Sequence, residues 1–374
     1  MSTKIKVLVP TAVAFVVVIA SILFVVTGDM FSSKSWGPEL RFSSTATSFG
    51  EFDFPNISCS NTIGTPKGQD GCLLTGGYGN NDALSKAYRL SLGSSTTISS
   101  SDIAAVSYPQ TNFDTSWRDQ STAVLRCWAA ASCVVADVAN NLSLWQNGTW
   151  STRLIPGIGS PATGTCTFTT LSNGSINPEL HCLFVDSNGV AENYTATSSG
   201  AQFASLGKVD PYNSQLNEQW APSASACYWD NFGNPVCFVG DSSGHLIKID
   251  PTGVEAPLQP FGPSASITAL ACLSSGQCIA ELADQSVYAT DGIGKWKKLA
   301  GIHALAISTP MVSGSTAFIA TTQGIAFYDW STVKRYSVRA KQWATTAASF
   351  SCDWQFCVAL GSHHIVKVSL PKSV

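Results

Sequence analysis

The sequence is poor in charged residues. Asp, Glu, Lys and Arg together make up only 12% of its 374 residues, about half the usual share. The net charge is −3, and no basic run extends beyond the short stretch 295–298. A nucleic-acid-binding protein needs a strongly positive surface, so the composition predicts no nucleic-acid partner.

The motifs of several enzyme and metal-binding classes are also missing. No nucleophile elbow, P-loop, zincin or EF-hand signature occurs, so the sequence predicts no catalytic residue, cofactor or metal ligand. His363 and His364 are adjacent, and on a strand they would point to opposite faces. A surface turn therefore explains this pair better than a shared metal does. These absences favour a protein that is not an enzyme, but they do not exclude an enzyme.

Only one long apolar run is present. It extends from Val7 to Val26, which as a helix would span about 30 Å of hydrocarbon. It is longer than the apolar core of a signal peptide, and the residues that follow form a poor cleavage site. We therefore expect residues 1–27 to be a transmembrane anchor and residues 28–37 a linker. The lysines before the run predict that the bulk of the chain lies outside the cell. A cleaved signal peptide, which would make the protein secreted, is the alternative.

Cysteines are plentiful, and they fall into six close pairs with none left over. The pairs are Cys59 and Cys72, Cys127 and Cys133, Cys166 and Cys182, Cys227 and Cys237, Cys272 and Cys278, and Cys352 and Cys357. Their separations do not follow zinc-site spacing, and no histidine accompanies them at ligand distance. The pattern favours one disulfide per repeat in an oxidising compartment, with free thiols or metal ligands as the alternative.

The second cysteine of each pair opens a recurring unit. We expect the first cysteine of a pair to end one strand and the second to start the next. Three apolar residues follow the second cysteine and then an Asp or Gly turn, as in the segments 133–137, 182–186 and 237–241. A further short strand, a polar turn and often a Trp come next. Each unit therefore contains about four short strands in about 40 residues, and no amphipathic helical stretch competes with this pattern. This period is typical of a β-propeller.

Seven units can be counted over residues 38–374, and six of them carry a cysteine pair. The unit without cysteines spans about 302–338, and a long insertion is expected around 108–120. The fold class is therefore predicted to be all-β, a seven-bladed β-propeller; a six-bladed propeller with the first unit outside it is the alternative. The last unit ends after three strands at Leu370. We expect Glu39–Ser44 to supply its outer strand, which would remove an exposed sheet edge.

This repeat resembles extracytoplasmic β-propellers with sialidase-type (Asp-box, BNR-like) repeats, and it is similar to photosystem II assembly-factor propellers and their bacterial relatives. The resemblance covers about residues 49–370. It implies fold more than function, because the Asp-box pattern is matched in full nowhere; Asp291-Gly292 with Trp296 comes nearest. Sialidase chemistry would require an arginine cluster, a Tyr nucleophile and an acid, and the scattered arginines of this chain do not reveal that set.

Two sets of side chains recur at equivalent turns. Four aspartates follow the apolar strands, where they fit either type I turns or a cation-attracting ring; these are Asp137, Asp186, Asp241 and Asp284. An aromatic residue lies inside the cysteine turn of three units, and the set is Trp128, Tyr228, Trp229 and Trp354. These rings are predicted to bind a protein or glycan ligand on the opposite face; the alternative is that each ring covers its own disulfide or fills the gap between blades.

Five Asn-x-Ser/Thr sequons also occur, at Asn56, Asn141, Asn147, Asn173 and Asn193. They mark either glycosylated surface loops or chance matches in a chain rich in Asn, Ser and Thr. Taken together, the sequence predicts a non-catalytic binding or scaffold propeller, presented outside the membrane by its N-terminal helix. A glycan-binding lectin or a sialidase-like glycan-active enzyme is the alternative.

Overall fold

The structure is a computed structural model, and the chain divides into two compact units, Met1–Pro38 and Glu39–Val374. The residues that it describes are 36–46, 53–60, 71–77, 86–92, 97–106, 122–129, 132–137, 139–146, 148–168, 179–197, 200–209, 221–230, 232–255, 258–262, 265–273, 275–290, 295–309, 315–353, 355–361 and 363–371. The expected anchor at 1–27 and the expected insertion at 108–120 lie outside these ranges. Among the described residues, no helix is both long enough and apolar enough to cross a membrane.

The described chain is almost entirely β-structure, arranged in seven antiparallel sheets. Two short strands come first, β1 (Gly37–Glu39) and β2 (Phe42–Ala46). Blade 1 contains β3 (Asp53–Ser60), β4 (Gly71–Gly77), β5 (Lys86–Ser91) and β6 (Ile103–Val106). Blade 2 contains β7 (Thr122–Ala129), β8 (Ser132–Asp137), β9 (Asn141–Gln146) and β10 (Thr149–Leu154). Blade 3 contains β11 (Pro161–Phe168), β12 (Leu180–Asp186), β13 (Val190–Thr197) and β14 (Gly200–Lys208).

The remaining four blades follow the same order. Blade 4 contains β15 (Pro222–Trp229), β16 (Pro235–Asp241), β17 (Leu246–Asp250) and β18 (Gly253–Val254). Blade 5 contains β19 (Ile267–Cys272), β20 (Cys278–Leu282), β21 (Ser286–Thr290) and β22 (Trp296–His303). Blade 6 contains β23 (Ala306–Ser308), β24 (Ala317–Thr321), β25 (Gly324–Tyr328) and β26 (Val333–Ser337). Blade 7 contains β27 (Phe350–Cys352), β28 (Phe356–Leu360) and β29 (His364–Ser369). A 3-10 turn (Ser100–Asp102) and a short helix, α1 (Trp343–Thr346), complete the described elements.

Blade 7 takes its outer strand from the other end of the propeller. β2 pairs with β29 over its whole length, from Phe42 opposite Val368 to Ala46 opposite His364. This confirms that the segment before the first blade closes the last one, although the strand begins later than expected. The earlier residues belong elsewhere: the strand that ends at Glu39 is the fifth strand of blade 6, and Leu40 donates its N–H to the carbonyl of Ser337 at 2.9 Å.

The first strands of successive blades contact one another, so they surround the centre of the propeller. Each of the six cysteine pairs forms a disulfide within its own blade, and no cysteine is free. The bridges are Cys59–Cys72, Cys127–Cys133, Cys166–Cys182, Cys227–Cys237, Cys272–Cys278 and Cys352–Cys357. In each bridge the two cysteines face each other directly across the first and second strands. Cross-strand pairs of this kind bring Cβ atoms close enough for a bridge without bending the backbone. The expected intrablade pairing and the count of seven blades are both confirmed.

The expectation that the cysteines mark strand ends is wrong for most blades, and blade 2 shows the reason. Cys133 does not start its strand, since β8 begins one residue earlier at Ser132, and β7 continues past Cys127 to Ala129. The strand pairing therefore extends beyond the bridge, to Ala129 opposite Ser132, and its register shifts between Cys127 and Ala129. Cys133 is buried, with 1% of its surface exposed. The bridge thus lies inside the sheet and not at the tip of the hairpin. Blade 5 alone fits the expectation at both cysteines, because β19 ends and β20 begins at a bridged residue.

The apolar core is divided among the seams between neighbouring blades. Seven buried clusters each join residues of two adjacent blades. In the seam between blades 3 and 4, for example, Leu183 and Val185 pack with Cys227 and Cys237. A disulfide therefore stiffens the face that a blade presents to the blade before it. Side chains alternate across a strand, so each blade contributes to the seams on both of its sides.

Serine hydroxyl groups accept a hydrogen bond from a cysteine N–H of the next inner strand across three consecutive seams. Ser58 accepts a hydrogen bond from the N–H of Cys127 at 2.9 Å, and Ser351 accepts one from Cys59 at 2.9 Å. Ser308 likewise accepts one from Cys352 at 3.1 Å. Buried backbone N–H groups require such partners, and these serines satisfy them while tying blades 6, 7, 1 and 2 together.

The recurring aspartates close the turns between the second and third strands. The Oδ1 atom of Asp186 accepts the N–H groups of Asn188 and Val190, both at 2.9 Å. Asp137 and Asp241 each bond the N–H groups two and four residues ahead in the same way. All three side chains are buried. Turn formation therefore explains these aspartates, as the turn interpretation predicted.

Candidate functional site

The two ends of the blades carry different chemistry. Hairpins between first and second strands and between third and fourth strands lie at one end, which we call the cysteine face because the disulfides lie towards it. The turns closed by Asp137, Asp186 and Asp241 lie at the other end, the aspartate face. Antiparallel strand order makes the two sets of turns alternate between these ends. Tyr228 and Trp229 are therefore on the face opposite these aspartates.

Two of the four predicted aromatic site residues, Tyr228 and Trp229, are described with their side chains. They end strand β15 on the cysteine face of blade 4 and are half-buried. Because they are consecutive, they point to opposite sides of the blade. The Trp229 ring meets His181 of blade 3 edge-on, with centroids 6.2 Å apart. The Tyr228 ring lies beside Phe238, at 6.3 Å, and reaches Gly276 in the cysteine hairpin of blade 5.

The other two predicted aromatics are placed less completely. Trp128 lies in β7 one residue after Cys127, at the cysteine end of blade 2, and its side chain lies outside the described part of the structure. Trp354 also lies outside the described residues. The structure thus brings Tyr228 and Trp229 together on blade 4, and a shared surface with the other two rings stays a prediction.

The structure adds one aromatic residue that the sequence interpretation missed. Phe232, at the tip of the blade 4 cysteine hairpin, is 91% exposed. The Oδ1 atom of Asp230 accepts the N–H groups of Phe232 and Asn234, at 2.9 Å and 2.7 Å, so the tip has a defined conformation. Gly233 supplies the positive φ of +80° that closes the turn. An aromatic residue within an Asp-Asn-Phe-Gly turn was the available sequence signal, because turns normally carry polar residues there.

Several charged side chains of blade 4 lie near Tyr228. Lys248 forms ion pairs with Asp250 at 3.1 Å and with Glu255 at 2.5 Å. Burial raises the pKa of Tyr228, and Lys248, Asp230, Asp250 and Glu255 all lie near enough to influence it. We call this surface the blade 4 patch, and its residues are Tyr228, Asp230, Phe232, Lys248, Asp250 and Glu255. Val254 follows Asp250 in the same hairpin, but it pairs with Ile249 and so lies on the side of the blade that faces blade 3.

Burial also shifts the pKa values of several ionisable groups that lie away from this patch. Burial lowers the pKa of His181 to about 4 and raises the pKa of Glu281 to about 7. Burial also raises the pKa of Glu192, against a hydrogen bond from Ser205 that lowers it. Within the described ranges, no group of three or more His, Cys, Asp or Glu is arranged to hold a metal ion.

The sequons fall at varied positions. Asn56 lies on β3 and Asn193 on β13, both partly buried. Asn141 is buried, and its amide group donates to the carboxylate of Asp137 at 3.2 Å and 3.1 Å. Asn147 and Asn173 lie outside the described residues. Glycosylation of the chain stays a prediction.

Comparison with known proteins assigns the chain to a fold and to no family. No protein-family model matches it, and no curated protein matches it. Solved propellers match almost their whole length: a virginiamycin B lyase from Staphylococcus aureus shares 12% identity with a TM-score of 0.57, covering 89% of this chain and 100% of that one. A structure of BBS1N in complex with ARL6DN has 11% sequence identity to this chain and a TM-score of 0.61. The match covers 90% of this chain and 99% of that one. YCF48 bound to D1 peptide has 11% sequence identity to this chain and a TM-score of 0.57. The match covers 91% of this chain and 99% of that one.

The class of protein is therefore established by geometry. The chain contains an all-β, seven-bladed β-propeller with a disulfide in six of its blades. At this level of identity the similar structures show the fold alone, and sialidase-type repeats stay a prediction.

Proposed function

We propose that the protein is a non-catalytic binding or scaffold propeller, and that it binds its ligand on the cysteine face through the blade 4 patch. The observation that carries this proposal is Phe232, a large apolar side chain held almost fully in solvent by a hydrogen-bonded turn. Its ring contributes little to the core of the fold, and aromatic anchors are typical of binding hot spots.

We further propose that the propeller works outside the cytoplasm, held at the membrane by residues 1–27. Six disulfides support this compartment, because reducing cytosol opposes their formation. The apolar run with preceding lysines supports the anchor and the orientation. A cleaved signal segment would keep the compartment and remove the anchor.

The comparisons are compatible with binding, since two of the similar propellers were solved with a peptide or protein partner. A third is a lyase, so the fold by itself permits catalysis too. The acids of the blade 4 patch are exposed or partly exposed, and turn amides or Lys248 engage them. The pKa values of Asp230 and Asp250 are lowered, so these two carboxylates are poor proton donors at neutral pH. This favours binding over glycan hydrolysis.

The test is ligand binding by the full chain on two arrays, one of peptides and one of glycans. Phe232→Ser removes the exposed ring, and Leu154→Ser is the matched control because Leu154 is also exposed, 68%, but lies on the outer strand of blade 2. Trp128→Ala and Trp354→Ala extend the test to the two incompletely placed aromatics. Melting temperatures of all variants are measured in parallel.

Loss of array binding in Phe232→Ser with an unchanged melting temperature, and retained binding in Leu154→Ser, is the expected result. If Phe232→Ser binds every array ligand as the wild type does, the blade 4 patch is not the site. For Trp128 and Trp354, a large fall in melting temperature means that the rings pack in the fold, since burying an aromatic contributes about 3–5 kcal/mol; they are then withdrawn as site residues.

A further inference from the structure

The chemistry of the blade 4 patch indicates which kind of ligand it accepts, an inference that rests on the proposed function. The patch combines exposed apolar surface with an excess of negative charge. Phe232 supplies the exposed apolar part, and half-buried Tyr228 lies beside the charged groups. Each of these features restricts the ligand.

The charge excess comes from three carboxylates beside one ammonium group. Asp230, Asp250 and Glu255 all act electrostatically on Tyr228, and Lys248 is the single cation that does so. Backbone N–H groups, that of Asn234 first, lower the pKa of Asp230. The hydroxyl of Thr252 is the first of several groups that lower the pKa of Asp250. These two carboxylates are therefore ionised at neutral pH, and one ammonium group cannot neutralise the set.

The carboxylates of Asp230 and Asp250 are held by the fold and do not depend on a ligand for their positions. Asp230 caps the turn that carries Phe232, and Asp250 caps the hairpin between β17 and β18 through the N–H of Thr252 at 2.8 Å. The negative charge and the exposed ring thus have fixed relative positions. A surface that is already arranged loses less entropy when it binds.

We propose that the blade 4 patch binds a basic peptide segment, in which a bulky apolar side chain packs on Phe232 and flanking Lys or Arg residues face the three carboxylates. Electrostatic complementarity of this kind mainly sets specificity and association rate. An acidic peptide or a sialylated glycan would meet like charge, and a neutral glycan would leave the carboxylates without positive partners.

The experiment measures binding of the full chain to three short fluorescent peptides that share one apolar core. The flanking positions are Lys in the first peptide, Ser in the second and Glu in the third. Glu255→Lys is the charge variant, because the Glu255 side chain is about half exposed and forms a surface ion pair with Lys248. Glu39→Lys is the matched control, since Glu39 is similarly exposed and pairs with Arg339 at the outer edge of blade 6.

For the wild type we expect the Lys peptide to bind about tenfold more tightly than the Glu peptide. This preference should shrink when salt is raised from about 0.05 M to about 0.5 M, as screening predicts. Glu255→Lys should reduce the preference, Glu39→Lys should leave it unchanged, and Phe232→Ser should weaken binding of all three peptides.

The two levels of the proposal fail in different ways. Equal binding of the Lys and Glu peptides, still sensitive to Phe232→Ser, would overturn the basic-peptide inference and leave the binding site standing. Binding of glycans alone, sensitive to Phe232→Ser, would also overturn it. Binding that no blade 4 variant changes would overturn the proposed function itself.

Discussion

Ser44 on β2 lies directly opposite Val366 on β29, so the beginning of the propeller pairs with its end in one sheet. The pairing extends over five residue pairs and covers the outer edge of β29. Without β2, backbone N–H and C=O groups along that edge would lose their partners. The ring of blades is thus closed by hydrogen bonds between residues remote in sequence.

We expect deletion of residues 28–46 to destabilise the fold strongly, because it removes β2 and exposes the edge of β29. Each hydrogen bond lost contributes about 1 kcal/mol. Thermal unfolding of the deletion and of the wild type measures the effect. Deletion of residues 28–35 alone, which keeps β1 and β2, is the control and should melt close to the wild type. Equal melting of both deletions would contradict closure by β2.

The disulfides should differ in their contribution to stability according to loop length. Cys166 and Cys182 are 16 residues apart, and Cys352 and Cys357 are 5 apart. All four are buried, so replacing either pair by serines removes similar packing. The chain-entropy model predicts a cost of about 3 kcal/mol for the first pair and about 2 kcal/mol for the second. Urea unfolding of the two double variants tests the order. A reversed order would mean that the bridges act mainly by holding native strand register.

Glu281 should make stability depend on pH between about 4.5 and 7. The side chain is only 9% exposed, and burial raises its pKa from 4.5 to about 7. The folded state therefore holds the proton more tightly than the unfolded chain, so this contribution is complete below pH 4.5 and is lost as pH rises through 7. The shift corresponds to about 3 kcal/mol. Glu281→Gln should be more stable than the wild type at pH 8 and similar at pH 4, as measured by urea unfolding. If the stability difference between the variant and the wild type were the same at pH 8 and at pH 4, this prediction would be wrong.

His181 should act in the opposite direction. Burial lowers its pKa from 6.5 to about 4, so the unfolded chain binds the proton more tightly than the folded state. Stability is therefore lost as pH falls from about 6.5 to 4, by an amount corresponding to about 3 kcal/mol. His181→Gln removes this titration. We expect the free energy of unfolding of the variant, relative to the wild type, to be higher at pH 4.5 than at pH 7.5, as measured by urea unfolding. Chemical shifts of the His181 ring across this range supply an independent check, and a midpoint near 6.5 would falsify the burial argument.

Local features were predictable from the sequence because they depend on neighbours in the chain. The cysteine pairs, the Asp turns and the short strands recur with each blade, and each is completed within about 40 residues. Closure by a segment before blade 1 was predictable too, since the last unit has only three strands of its own. The expectation placed this segment in one blade, whereas the chain divides it between β1 of blade 6 and β2 of blade 7.

Strand ends were less predictable than strand pairing. The Cys127–Cys133 bridge was expected from spacing alone, and it forms. The position of Cys133 inside β8 was not expected, because the ladder of paired residues, and not the bridge, decides where a strand begins. A cysteine pair in the sequence therefore indicates which strands are neighbours without indicating where they end.

The candidate site was only partly predictable. The sequence singled out Tyr228 and Trp229 through their place beside Cys227, but it could not show that their rings reach blades 5 and 3. It did not single out Phe232, whose importance comes from exposure. Lys248, Asp250 and Glu255 belong to the other hairpin of blade 4, and their proximity to Tyr228 depends on strand pairing.

By itself the sequence determined the repeat, the disulfide pairing and the turn chemistry, because each of these forms between residues close together in the chain. Only the packing of neighbouring blades placed the Tyr228 and Trp229 rings in seams, left the Phe232 ring in solvent and removed certain acids from contact with water. Those outcomes depend on the neighbouring blade, and a repeating pattern carries little information about the side chains that another repeat places against it.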